Sequence, residues 1–204
     1  LQVLPVNVNN EHPVSMSVVA LSGSPSGNSR SSALLRHVLE RLPEGTASHE
    51  IVLRDLPPAA LLRADVDDPA IRRAREQVAA ARLVVIATPI YKAAYSGLLK
   101  TFLDLLAQDA LRGKTVLALG TGGSAAHLLA LDYALKPVLA ALGARHILDA
   151  VYAVDAQFTP HARLGHAADD ETVDRLARAL ADTPFALRAA SAEIPPPAGL
   201  ALAA

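Results

Sequence analysis

The sequence predicts an α/β fold built on a doubly wound parallel sheet. Short apolar runs carrying β-branched residues alternate with stretches of helical period along the 204 residues. Three of those runs lead directly into a turn rich in Gly, Ser or Pro and then into a helix, at residues 23–32, 89–97 and 121–124. Hydrophobic residues make up 51% of the chain, enough to cover both faces of a sheet.

The elements follow in order. Residues 17–22 are apolar without alternation and read as a strand buried on both faces. A helix over 32–42 stops before Pro43-Glu44-Gly45, and residues 50–53 form the second strand. Residues 54–68, with Pro57-Pro58, are a long connection. Pro69 opens the helix 69–80, where its missing N–H has no intrahelical partner to lose. The third strand is 83–87 and the next helix 96–108; the fourth strand is 115–120, followed by a helix over 125–142 that Gly143 ends. A fifth strand at 146–154 and a helix at 171–188 complete the pattern. Five strands joined by helices imply right-handed crossovers and the flavodoxin-like order 2-1-3-4-5. There is no internal repeat.

One domain is expected over residues 16–190. Residues 1–15 lack the Lys or Arg of a signal peptide and read as upstream, tag-like sequence ahead of Met16. Residues 191–204, with Pro195-Pro196-Pro197, read as a flexible tail. Nineteen basic against 20 acidic residues give no reason to expect a polyanionic partner, and aromatics at 3% argue against base stacking on nucleic acid. The chain has no cysteine, which fits a reducing, cytoplasmic setting and excludes thiol catalysis. No apolar run approaches the roughly 20 residues of a membrane helix. His12, His37, His49, His146, His161 and His166 show no metal-ligand spacing.

The chemistry concentrates in the three turns, all at carboxyl ends of strands, where open α/β sheets bind ligands. In the first, Ser24, Ser26, Ser29, Ser31 and Ser32 gather with Arg30 at a helix N-terminus. That donor set suits a single terminal phosphate; it matches neither a P-loop nor a dinucleotide fingerprint. An ordinary serine-rich cap is the plainer reading. In the second, Tyr91 and Tyr95 can offer flat faces, or simply plug the sheet edge, and Ser96 can cap the following helix. In the third, Gly122-Gly123 can bring bare backbone against a planar ring, or only make a turn.

Longer runs carry a resemblance. They are Gly23-Ser24-Pro25, Ser29-Arg30-Ser31-Ser32, Ala87-Thr88-Pro89-Ile90-Tyr91-Lys92-Ala93-Ala94-Tyr95-Ser96-Gly97, Thr121-Gly122-Gly123, Ala126-His127-Leu128-Leu129-Ala130 and Asp132-Tyr133-Ala134-Leu135-Lys136-Pro137. From residue 18 to 158 the chain resembles the flavodoxin-like NAD(P)H-dependent FMN reductases, in particular those that supply reduced flavin to alkanesulfonate monooxygenases. One position departs from the pattern: Ser26 stands where the family often has Arg after Gly-Ser-Pro, leaving Arg30 to compensate.

The resemblance implies reduction of FMN to FMNH2 by NADPH, with NADH possible, and a diffusible product. It implies an FMN phosphate held by Ser24, Ser29, Arg30, Ser31 and Ser32. It also implies a flavin ring lying along Pro89, Ile90, Tyr91, Lys92 and Ser96, with Thr121, Gly122 and Gly123 on its other edge. A reductase that retains FMN and reduces quinones or azo compounds is the alternative; a flavodoxin-like electron carrier is another, against which the near-neutral charge argues. No catalytic acid or base is expected, since the cofactor carries the hydride chemistry, and no metal. Asp132 and Lys136, four apart, read as a surface ion pair, and His127 as a capping or interface residue.

Two expectations concern assembly. In the helix 96–108, Lys100, Asp104 and Gln108 make one polar stripe amid Leu98, Leu99, Phe102, Leu103, Leu105 and Leu106; the helix 125–142 shows the same pattern, and the two are expected to pack against a partner subunit in a dimer or tetramer. Pro137 sits within an apolar helical pattern, so its ring must meet the carbonyl of Tyr133, at an interior cost of roughly 3 kcal/mol. A proline kink or a π-bulge would relieve it. The resemblance favours a π-bulge at a subunit interface, with Tyr133 modulating flavin exchange.

Overall fold

The computed structural model describes residues 17–188; the expected upstream segment and tail lie outside the described residues. The elements are β1 (Ser17–Ser22), α1 (Arg30–Glu40), β2 (Ala47–Val52), α2 (Pro58–Arg63), α3 (Pro69–Ala80), β3 (Leu83–Tyr91), β4 (Ala94–Tyr95) and α4 (Gly97–Leu103). They continue with β5 (Thr115–Gly122), a π-helical turn (Leu131–Leu135) that runs into α5 (Lys136–Ala141), β6 (His146–Ile147) and β7 (Val151–Val154). A hairpin of β8 (Phe158–His161) and β9 (Gly165–Ala168) precedes α6 (Asp170–Leu180).

The parallel strands lie in the order β2-β1-β3-β5-β6, which is the expected flavodoxin-like order once only core strands are counted. Period-two alternation explains the layers. On one side Val19, Leu21, Val84, Ile86, Val116 and Ala118 meet α3, α4, the π-helical turn and α5. On the other, Val18, Ala20, Leu83, Val85, Leu117 and Leu119 meet Leu34, Leu35 and Val38 of α1 and Leu176 and Leu180 of α6. A strand covered on both faces has no polar side to show, hence its unbroken apolar sequence.

Several boundaries differ from the sequence reading, each for a local reason. The edge strand β2 begins at Ala47, because the first four of its residues are exposed and carry no apolar signal. The connection after it holds α2, entered at Pro58 and closed by Ala64 in the left-handed region. Pairing carries β3 on to Tyr91 and β5 to Gly122. The fifth strand is interrupted: β6 and β7 both pair with β5, with residues 148–150 between them. α6 ends at Leu180, ahead of Thr183-Pro184, which disfavours helix.

The helix expected over 96–108 ends at Leu103. Leu99, Phe102, Leu103 and Leu105 are buried in this chain's own core, so they do not themselves require a partner subunit. Nor are residues 125–142 one helix. They form a 3-10 turn at Ala125–His127, the π-helical turn and α5. The Lys136 N–H donates to the Leu131 carbonyl five residues back, which is π winding, and Pro137 follows at the start of α5. The irregularity expected from Pro137 is therefore present, centred on Tyr133. An ion pair between Asp132 and Lys136 spans the widened turn.

Candidate functional site

Strand register places the three turns side by side. Ser22 pairs with Ala87, and Pro89 pairs with Thr121, so β1, β3 and β5 deliver their turns to one sheet edge. Two bonds pin the first turn to the second: Gly23 N–H to the Ala87 carbonyl at 2.8 Å, and Ser96 Oγ to the Gly23 carbonyl at 2.5 Å. Ser96 also caps α4, accepting from Leu99 N–H at 3.1 Å, as its sequence position predicts.

The serines of the first turn divide by role. Ser29 is the N-cap of α1, accepting from Ser32 N–H at 3.3 Å, and its hydroxyl lies 2.8 Å from that of Ser31. Ser24 accepts from Ser26 N–H at 3.2 Å, which leaves its hydroxyl proton to donate. Ser32 instead turns inward, 2.7 Å from Ser22 Oγ in the strand. All four are buried although the loop they belong to is exposed from Pro25 to Asn28. The first turn of α1 has no acidic residue, so its positive end is not neutralised from within the helix.

Arg30, at the first position of α1, extends this positive end. It reaches Asp155 at 3.5 Å, and its Nε is buried without a partner. A second guanidinium approaches from beyond β2, Arg54 donating to the Ser26 carbonyl at 3.0 Å. Serine hydroxyls, a helix N-terminus and an incompletely paired guanidinium make a donor set suited to a phosphate dianion.

The second turn is a tight hairpin. Tyr91 pairs with Ala94 in antiparallel register, and Lys92 and Ala93 between them both have positive φ, 52° and 62°. Pro89 and Ile90 are buried, whereas Tyr91 is 51% exposed and Lys92 is exposed as well. In the third turn Thr121 is buried and Gly123 exposed. A Cβ on Gly122 would stand 2.5 Å from the Tyr152 hydroxyl, which donates to the Ser124 carbonyl at 2.7 Å. Gly122 thus makes room for this chain's own tyrosine.

Sequence reasoning missed the wall opposite. The β8–β9 hairpin lies on α1, held by Arg36 donating to the Leu164 carbonyl at 3.2 Å and by an Arg163–Glu40 ion pair at 2.8 Å. Gly165, at φ 76°, lets it close over the first turn, since a Cβ there would meet Asn28 Oδ1 at 2.5 Å. This brings His166 towards Arg30 and Asp155; burial, then the Arg30 charge, push its imidazole below its usual pKa, and Asp155 opposes them. Burial raises the Tyr152 phenol, with Asp155 adding to the effect. The hairpin had one legible signal, a glycine after a short loop between two short runs. Asp155 had none.

Beside the site, Leu128, Leu129 and Tyr133 are exposed, Tyr133 at 78%. No group of His, Asp and Glu among the described residues could hold a metal ion. No helix among them is long and apolar enough to cross a membrane.

The chain is similar to known proteins. The family described as NADPH-dependent FMN reductase matches residues 16–159. An FMN reductase (NADPH) of Escherichia coli is 52% identical over 143 residues, 70% of this chain and 75% of the relative. An NADH-dependent FMN reductase, SfnE, of Pseudomonas putida is 35% identical over 151 residues, 72% of this chain and 81% of its own. Among solved structures, the apo form of an NADH:FMN oxidoreductase (EMOB) superposes with a TM-score of 0.74 at 42% identity, covering 85% of this chain and 90% of that one. The family match over residues 16–159 and these identities mean that the chain belongs to the NADPH-dependent FMN reductase family.

Proposed function

We propose that this chain reduces FMN with NADPH and releases FMNH2 as a diffusible product, in the cytoplasm, to a flavin-dependent alkanesulfonate monooxygenase. The observation that carries the reading is the phosphate-sized donor set of the first turn, set beside the Pro89–Tyr91 and Thr121–Gly123 segments on adjoining strands. Ser24, Ser29, Ser31, Arg30 and the N–H groups opening α1 hold the FMN phosphate. Ser32 shapes that turn through Ser22. Pro89, Ile90, Tyr91 and Lys92 form one wall for the ring, with Ser96 fixing their hairpin, and Thr121, Gly122 and Gly123 form the other.

Bound FMN supplies the hydride acceptor, so the chain itself needs no acid or base. Its residues hold two ring systems in contact and exclude water between them. NADPH is the proposed donor, with NADH a second substrate. The exposed Leu128, Leu129 and Tyr133 face a second copy in a dimer or tetramer, where Tyr133 beside the π-helical turn keeps flavin exchangeable.

The test uses purified protein freed of flavin, given NADPH and a quinone or an azo dye. The proposed function predicts no turnover of either acceptor until free FMN is supplied. Turnover with one stoichiometric FMN that stays on the protein through gel filtration would identify a flavin-retaining reductase instead.

A further inference from the structure

We propose that Asp155 is a built-in competitor for the flavin phosphate, holding Arg30 in the free protein and yielding it when FMN binds. The inference rests on the reading that residues 23–32 take the phosphate. Asp155 follows β7 directly, and the pairing of Gly122 with Val154 sets it against the third turn. Its Oδ2 lies 4.0 Å from where a Cβ on Gly123 would be, and its Oδ1 is 3.5 Å from Arg30 Nη1. A carboxylate therefore stands between the phosphate turn and the glycine turn, inside the proposed flavin site.

The pair is built to be broken. Its contact is long and single, where a guanidinium and a carboxylate can make two short parallel bonds. Both side chains are about half exposed, at 39% and 47%, so the pair is screened and weak. Arg30 Nε, buried without a partner, is left over by Asp155. A phosphate at the N-terminus of α1 offers three oxygens and more charge to the same guanidinium. Tyr152 on β7 and His166 on β9 also act on Asp155, and neither supplies a fixed positive charge to hold it. FMN binding must separate Asp155 from Arg30 and then bear its repulsion, which lowers affinity for the phosphate-bearing flavin alone. Loose, phosphate-dependent binding is what a protein that exports its flavin requires.

The test is titration of the full chain with FMN and, separately, riboflavin, which lacks the phosphate, following flavin fluorescence. Wild type should prefer FMN. Asp155→Asn should tighten FMN by roughly three- to tenfold, the range expected for losing a weak ion pair and a like-charge repulsion, and leave riboflavin within about twofold. Asp155→Glu, which keeps the charge, should restore the wild-type preference. Weaker FMN binding by Asp155→Asn, or equal shifts for both flavins, would overturn the proposal. A wild-type preference for FMN that Asp155→Asn leaves unmoved would overturn it while leaving the phosphate reading intact. No wild-type preference would remove both.

Discussion

Gly122 has so little room that its side-chain position is already filled by the Tyr152 hydroxyl. Gly122→Ala should therefore destabilise the protein by about 1–3 kcal/mol, the usual effect of forcing atoms into a packed site. Tyr152→Phe removes the clashing oxygen along with its bond to Ser124, so the two substitutions together should cost less than their sum in denaturant unfolding. His37 supports a second prediction. Arg41 donates to its Nδ1 at 2.8 Å, which requires an unprotonated nitrogen, and burial followed by the Arg41 charge push the imidazole down to about 4. The unfolded chain takes up this proton near pH 6.5 and the folded chain only near 4, so stability should fall as pH drops between those values and level off below them. Urea midpoints measured across that window should show the loss in wild type and not in His37→Gln. At this scale the sequence revealed donors better than their partners. The serines and Arg30 were visible as a cluster, but only the fold turns Ser32 inward and brings a lone Asp155, distant in sequence, to Arg30.

The hairpin between β3 and β4 is the clearest case of an element built against local preference. Its two central residues are Lys92 and Ala93, both at positive φ, where Asn-Gly is favoured. Without that signature the segment read as a loop. Replacing the pair with Asn-Gly should raise stability by about 1–2 kcal/mol, given the penalty for side chains in the left-handed region; thermal unfolding would show it as a higher midpoint. An irregularity near Tyr133 was legible because its cause is local: a proline removes one donor and crowds one carbonyl, wherever the helix goes; its π-helical form, rather than a kink, was favoured only by the resemblance. The end of α4 was not, because Leu105 and Leu106 continue its apolar pattern after the backbone has turned. Deleting Tyr133 should let residues 131–135 wind as ordinary α-helix and make the protein retain flavin, seen as visible absorbance that survives gel filtration. A deletion variant that still elutes colourless would separate the winding from flavin exchange.

At the scale of the whole molecule, strand order and the two-sided core were readable because unbroken apolar strands alternating with helices have few topologies open to them. Assembly was less so. Of the two helices expected to meet a partner, the apolar face of α4 is covered by the chain itself, whereas Leu128, Leu129 and Tyr133, within the second stretch, are exposed. Light scattering at micromolar concentration should give a dimer or tetramer, and Leu129→Asp should shift it towards monomer; a wild-type monomer would remove the subunit contact. On the proposed function, free flavin is reduced and released. Its most direct measurement is anaerobic NADPH oxidation by catalytic amounts of protein as free FMN is varied. The rate should saturate with FMN, and the FMNH2 formed should exceed the protein many-fold and pass through a filter that holds the protein back. A rate independent of added FMN, with reduced flavin retained above the filter in a one-to-one ratio, would contradict it.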